Sequence, residues 1–111
     1  MPITTLQTAT AGSVSALVTV VKANIAALSY PYGGLKGVQA TVGRRTEYFQ
    51  MVAVGGVVAT DYDVVISQDR AEFTNKMNAK IAAGFQPIGD MSVIQVTPGR
   101  TCEYAQAFTK P

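Results

Sequence analysis

Residues 81–89 read Ile-Ala-Ala-Gly-Phe-Gln-Pro-Ile-Gly, and residues 25–33, which lie 56 positions earlier, read Ile-Ala-Ala-Leu-Ser-Tyr-Pro-Tyr-Gly. The same register continues downstream without a gap. When 23–52 is aligned with 79–108, 13 of 30 positions are identical. Two segments this short do not reach such identity by chance, so the sequence predicts an internal duplication of a unit of about 50 residues.

The apolar pattern predicts a β-α-β-β unit in each copy. In the first copy we expect a strand over 3–10, a helix over 14–28 capped by Ser13, and strands over 37–42 and 47–54. In the second copy we expect a strand over 62–67, a helix capped by Ser67 or Asp69, a loop over 85–90, and strands over 92–97 and 102–109. Turns are predicted at 43–46 and 98–100. The two helices carry matching apolar stripes: Leu17, Val21 and Ile25 in the first, and Phe73, Met77 and Ile81 in the second.

Two such units in 111 residues predict an α+β fold with one core. We expect a single domain over 1–111 made of two repeats, 1–55 and 56–111. It should have about six mostly antiparallel strands, both helices packed on one face, and a pseudo-twofold axis between the halves. Ile25 and Ile81 should then have similar surroundings, and Tyr48 and Tyr104 should lie on equivalent strands.

The composition favours a protein that works in contact with others. Charged residues make up 14% of the chain, against about 25% in typical soluble domains. The net charge of +2 is too small to indicate nucleic-acid binding, and Lys22, Lys76 and Lys80 are too sparse to form a basic stripe. We therefore expect self-association or contacts with other proteins, as in a homo-oligomer or an assembly subunit.

The second copy resembles a known family. An aromatic residue starts its helix, a glycine follows the helix, and two strands end in a Gln-Ala pair: Phe73, Met77, Asn78, Ile81, Gly84, Phe85, Gln86, Pro87, Gly89, Tyr104, Gln106 and Ala107. This run is similar to DUF1737, a short uncharacterised domain of bacterial and bacteriophage proteins, with Phe85 in place of that family's usual tryptophan. The resemblance covers about 62–110 and implies a small βαββ unit that is often phage-associated. It implies no reaction.

One constellation could bind a small anionic ligand. Aromatic rings at Tyr30, Tyr32 and Phe85 could stack on a base, and the arginines Arg44, Arg45 and Arg100 could hold phosphate oxygens. The nearby glycine loops follow a helix instead of preceding one, so they are not phosphate loops. In the competing interpretation, the glycines permit turns and the arginines are solvated turn residues or contacts with a neighbouring subunit.

The chain offers little for catalysis. It has no histidine, which excludes an imidazole base and the usual zinc ligand sets, and its one cysteine, Cys102, excludes an internal disulfide. Asp61 and Asp63 form a weak metal-pair pattern, and solvated acids at a strand end explain them better. Glu47 and Glu103 are interpreted as structural contacts, and Gln50 and Gln106 as buried amides that satisfy backbone groups. We predict no enzyme activity, no metal and no cofactor.

These observations favour a non-catalytic assembly or interaction protein of bacteriophage type, such as a small virion component of the decoration or cement kind. The alternative is a phage counter-defence protein that sequesters a small nucleotide signal or blocks a host protein. The sequence has no apolar run of the ~20 residues that a membrane helix needs, and no basic-then-apolar N-terminal segment. Host cytoplasm or virion is therefore the expected location, with no membrane partner, and nucleic-acid binding is disfavoured.

Overall fold

The computed structural model describes residues 2–41, 45–97 and 101–111, which form two helices and seven strands. The α+β class is therefore confirmed. The turn predicted over 98–100 lies outside the described residues, as do 43 and 44 of the turn predicted over 43–46, whereas Arg45 and Thr46 begin a strand. In chain order the elements are β1 (Thr5–Ala11), α1 (Val14–Ala26), β2 (Tyr30–Pro31), β3 (Lys36–Thr41), β4 (Arg45–Val54), β5 (Asp61–Ser67), α2 (Arg70–Ala82), β6 (Gln86–Thr97) and β7 (Thr101–Lys110).

The strands form two antiparallel sheets. In the first sheet, β4 pairs with β1 on one side and with β2 and β3 on the other; in the second, β7 lies between β5 and β6. The described residues give seven strands where six were predicted, because the chain already pairs with β4 at β2. In the second half, Gln86 and Pro87 pair with the central strand β7 in the same way, but they belong to a single strand, β6, that continues to Thr97. Most of the predicted loop over 85–90 is thus the start of β6, with an irregularity between Ile88 and Ser92.

The elements of the second half follow those of the first at a constant spacing. β5, α2 and β7 begin and end 56 positions after β1, α1 and β4. The pairing registers keep the same spacing: Thr5 pairs with Val54, and Asp61 pairs with Lys110. Tyr48 and Tyr104 accordingly lie on the two central strands, β4 and β7, as predicted.

The helix ends follow local side-chain chemistry. Ser13 caps α1 by accepting a hydrogen bond from the backbone of Ala16, and Asp69 caps α2 by accepting from Ala71 and Glu72. After α2 the chain turns through Gly84 at φ +96°, a left-handed conformation that glycine adopts without strain. The equivalent position after α1 is Leu28, at φ +67°, so a branched side chain occupies a conformation that favours glycine.

The apolar core has two parts, one on each side of the second sheet. The first cluster joins Leu17 and Val21 of α1 to residues of both sheets: Ala9, Leu35, Tyr48, Val52, Tyr62, Val64, Ala105 and Ala107. The second cluster joins Phe73 of α2 to Val65, Phe85 and Phe108. Neighbouring residues of a strand point to opposite faces, and Val64 and Val65 accordingly lie in different clusters.

This division corrects the predicted packing of both helices on one face. α1 packs against β1 and β4 of the first sheet and against β5 of the second, whereas α2 packs on the opposite face of the second sheet. The physical reason lies in the helices themselves. α1 carries further half-buried apolar residues at Val14, Val18 and Ile25 that pack against the first cluster.

The two isoleucines that were expected to match do not have the same surroundings. Ile25 packs against the first cluster, while Ile81 is 47% exposed. The difference arises because α1 lies between two sheets, while α2 is covered by one sheet only.

Candidate functional site

The structure describes the side chains of three of the six residues of the predicted ligand site, and it places the tyrosines apart from Phe85. Tyr30, in β2, and Tyr32 both line one cleft, while Phe85 lies in the second core cluster. Arg44 and Arg100 lie outside the described residues. Arg45 is the first residue of β4, and its side chain is among those that the structure does not describe. Of the six predicted residues, the structure thus places the two tyrosines together.

The cleft that holds these tyrosines has a volume of about 310 Å³. One wall is formed around β2 and Ile3, another by the connector between the halves at Val57, and a third by the start of β6 at Ile88. The lining consists of apolar and aromatic side chains, glycines and one threonine, Thr109. Such a cleft suits an apolar or aromatic group better than a phosphate.

Two glutamines hold the walls of this cleft. The buried Gln50 amide nitrogen donates to the carbonyls of Tyr32 and Gly33, at 3.3 and 2.9 Å, and also to Met51 at 3.0 Å. The Gln106 amide nitrogen makes the corresponding bonds 56 positions later, to Ile88, Gly89 and Ala107. The prediction that both are buried amides satisfying backbone groups is confirmed.

The walls meet where two glycines touch. A Cβ atom placed on Gly89 would lie 2.1 Å from the backbone nitrogen of Gly34, and one placed on Gly34 would lie 2.9 Å from the carbonyl oxygen of Asp90. No real Cβ atom approaches a backbone this closely. The two halves are therefore in direct backbone contact at this point, and glycine is required there because any side chain would push them apart.

Two tyrosine hydroxyls also join the halves. Tyr62 donates to the side-chain oxygen of Gln50 at 2.8 Å, and Tyr48 donates to Glu103 at 3.1 Å. Burial raises the pKa of Tyr48 to about 12, with a further contribution from the negative charge of Glu103. Burial also raises the pKa of Tyr62. Both hydroxyls are therefore neutral donors at ordinary pH and act as structural ties, so neither is a general base.

Phe85 is held as a structural residue. Its ring is 7% exposed, and the amino groups of Lys80 and Lys110 each lie 4.9 Å from its centre. Such cation–π contacts stabilise the aromatic ring of Phe85 at the border of the second core cluster. A base has no free ring face to stack on at Phe85, and the ring does not contribute to the cleft.

The acidic pair Asp61 and Asp63 is engaged by lysines from two different helices. Asp61 forms an ion pair with Lys22 of α1 at 3.5 Å, and Asp63 contacts Lys80 of α2. Within 2–41, 45–97 and 101–111, no group of three or more His, Cys, Asp or Glu side chains could hold a metal ion. In the same described part, neither helix is long and apolar enough to cross a membrane.

A second feature is a face of the first sheet that α1 does not cover, and most of its described residues on β1 and β4 are exposed. We call it the open face and define it by Leu6, Thr8, Thr10, Phe49 and Met51, which the strand register places side by side on β1 and β4. Ala53, which pairs with Leu6, lies on the same side but is buried beside the cleft. Leu6 is 52% exposed and Met51 is 40% exposed. The sequence gives only a weak signal for an apolar surface here, because the three residues that β1 contributes to this face are one leucine and two threonines.

The comparisons with known proteins give no relatives: no family model matches the chain, and neither a curated protein nor a solved structure does.

Proposed function

We propose that this protein is a non-catalytic assembly protein of bacteriophage type, a small virion component that works by contact with further protein. The observation that carries the proposal is the open face. The register-equivalent face of the second sheet is covered by α1 and the first sheet, with Tyr62 and Ala107 at 0% exposure. A sheet face that bears exposed leucine and methionine and lacks a cover is typical of an interaction surface.

We further propose that the chain arose by duplication of a βαββ unit. The constant 56-residue spacing of elements, registers and glutamine hydrogen bonds supports this. A twofold relation between the halves would give the helices equal surroundings, and the difference between Ile25 and Ile81 favours a head-to-tail packing of the halves instead. The phage assignment is supported by the resemblance of 62–110 to DUF1737 and by the low charge of the chain.

Sedimentation velocity over a range of micromolar concentrations tests the assembly function. We expect the protein to associate, and we expect Leu6→Glu, which places a carboxylate on the open face, to weaken association. Val20→Glu is the matched control, since it makes the same change of charge at an exposed apolar residue of α1. A strictly monomeric wild-type protein that also fails to bind phage particles would contradict the proposal.

The second candidate, a counter-defence protein that sequesters a nucleotide signal, is favoured by the cleft with its two tyrosine rings. The apolar lining could accept a base, and the phosphates would then require arginines from outside the described residues. Thermal-shift measurements with cyclic and adenine nucleotides test it, because tight binding adds several kcal/mol to the unfolding free energy. Tyr32→Ala should abolish any shift; no shift with any nucleotide removes this candidate.

A further inference from the structure

The chain contains an internal interface that buries one side of α1. The cover is the inner face of the second sheet, and its residues alternate along β5 and β7: Tyr62, Val64, Ile66, Ala105 and Ala107. The covered helix residues include the half-buried Val14 and Val18, which line an open pocket together with Ile66. The first half therefore supplies a helix, and the second half supplies the sheet face that covers it.

Both partners of this interface have uncovered equivalents at the two ends of the molecule. The open face occupies the register of the inner face 56 positions earlier, so Leu6 corresponds to Tyr62, Thr8 to Val64 and Met51 to Ala107. At the other end, the outer side of α2 consists of Arg70, Thr74 and Ile81, the equivalents of Val14, Val18 and Ile25. All three outer-side residues are exposed.

The two uncovered surfaces are both more polar than their equivalents in the internal interface. Where α1 presents Val14 and Val18 to Ile66, the outer side of α2 has Arg70 and Thr74, and the open face has Thr10 in the place of Ile66. An apolar pair within the chain thus corresponds to a polar pair between the two ends. The apolar remainder also matches, since Leu6 and Met51 on one surface and Ile81 on the other are each exposed by 40% or more.

The polar tie of the internal interface has an equivalent as well. Within the chain, Tyr48 donates its hydroxyl to Glu103. The equivalent pair is Tyr104, 56 positions after Tyr48, and Glu47, 56 positions before Glu103. Both residues are half-buried. Glu47 lies on β4 on the same side as the open face, since residues two apart on a strand share a face.

We propose that copies of this protein join head to tail, with the open face of one copy covering the outer side of α2 in the next, as the second sheet covers α1 within the chain. The proposal rests on the proposed assembly function and names its partner as a second copy. Such a contact uses two different surfaces, so it is heterologous and continues into a ring or a filament unless two copies close on each other. Tyr104 of one copy then donates to Glu47 of its neighbour.

A mixing experiment tests the two-surface arrangement. Leu6→Glu disables the open face and leaves the outer side of α2 intact, while Ile81→Glu does the reverse. Each variant alone should associate at least roughly tenfold more weakly than wild type, because a carboxylate buried without a partner costs more than about 1.4 kcal/mol. Mixed together, they retain one good interface and should form a 1:1 heterodimer. Native mass spectrometry detects it when one variant is labelled with nitrogen-15, since the two substitutions have equal mass.

Met51→Glu and Thr74→Glu repeat the experiment at independent positions, and circular dichroism confirms that each variant folds. Val20→Glu, on neither surface, should assemble as wild type. An Ile81→Glu protein that still forms dimers while Leu6→Glu does not would overturn the head-to-tail arrangement in favour of pairing between two open faces, and the assembly function would survive. A wild-type protein that is monomeric throughout would overturn the head-to-tail arrangement, and it would overturn the assembly function as well if the protein also fails to bind phage particles.

Discussion

The hydrogen bond between Tyr62 and Gln50 offers a direct measure of how tightly the two halves are joined. Both side chains are 0% exposed, and the hydroxyl lies 2.8 Å from the glutamine oxygen. Tyr62→Phe removes the donor and leaves that buried oxygen without it, which should lower the unfolding free energy by about 1–3 kcal/mol. Gln50→Leu also removes the bonds to three backbone carbonyls, and should cost roughly 3 kcal/mol or more.

The double variant isolates the bond itself. When both partners are apolar, neither is left unsatisfied by the loss of the other. We therefore expect the double variant to be more stable than the sum of the single losses implies, by about 1–2 kcal/mol. Urea unfolding, followed by circular dichroism and fluorescence of the tyrosines, measures all four proteins, and their slopes should agree if unfolding remains two-state.

A matched cycle with Gln106→Leu provides the control. Gln106 makes the same three amide bonds, but its side chain lies on the face of the second sheet opposite Tyr62. The losses for Tyr62→Phe and Gln106→Leu should add to within about 0.5 kcal/mol. A coupling between Tyr62 and Gln50 that is no larger than this control value would refute the claim that the bond ties the halves together.

Three further outcomes are expected. Leu28→Gly should raise the unfolding free energy by about 0.5–1 kcal/mol, because relief of the left-handed strain exceeds the entropy cost of glycine and Leu28 is already 65% exposed. Gly84→Leu should have the opposite effect, and equal melting temperatures of wild type and variants would contradict this account. The unfolding free energy should fall as the pH rises from about 10 to about 12, since the folded state keeps its proton on Tyr48, whose pKa is raised to about 12, after the unfolded state has lost it; in Tyr48→Phe the fall should be smaller, as measured by urea titrations at each pH. Asp69→Ala should cost about 1 kcal/mol through loss of the α2 cap, whereas Asp69→Asn, which retains an accepting oxygen, should cost a few tenths in the same assay.

Much of the local structure follows from the sequence because it depends on neighbouring residues. The caps at Ser13 and Asp69, the glycine turn after α2 and the apolar stripe of α1 are set within a few residues, and the structure contains each of them. Of the α2 stripe, Phe73 and Met77 pack in the second cluster and Ile81 is exposed. The role of Gln50 and Gln106 could also be predicted from the sequence. An amide between apolar neighbours on a central strand is buried, and backbone carbonyls are its nearest partners.

The arrangement of the two halves could not be read in the same way. A βαββ unit with one helix-covered face can meet a second unit edge to edge or face to face, and both satisfy the same apolar pattern. The choice depends on the second apolar side of α1, at Val14 and Val18. In the sequence, Val14 and Val18 also fit one broad apolar stripe together with the Leu17 side of the helix. The pattern therefore does not distinguish a helix that lies between two sheets from one that lies on a single sheet.

The candidate site was predicted only in part for a related reason. The tyrosines of the cleft share one short segment, so their proximity is local. Phe85 follows α2, and its position depends on packing with Val65 of β5 and Phe108 of β7, which are distant from it in sequence. Packing of the helices on one sheet face predicts that another face is uncovered. The sequence did not indicate which face, because Leu6 and Tyr62 hold equivalent positions in the two halves and only Tyr62 is covered.

The position of α1 between two sheets also affects how the protein emerges from the ribosome. While the first half alone has been synthesised, Val14 and Val18 have no second sheet to cover them, and the nascent chain carries an apolar helix side in contact with water. Translation must reach the end of β7 before that side is buried. We expect this stage to be the one at which the growing chain recruits chaperones. Ribosome-bound chains that carry a flexible linker after residue 100 and after residue 111, so that the preceding residues have left the ribosome, should differ in their protection from protease.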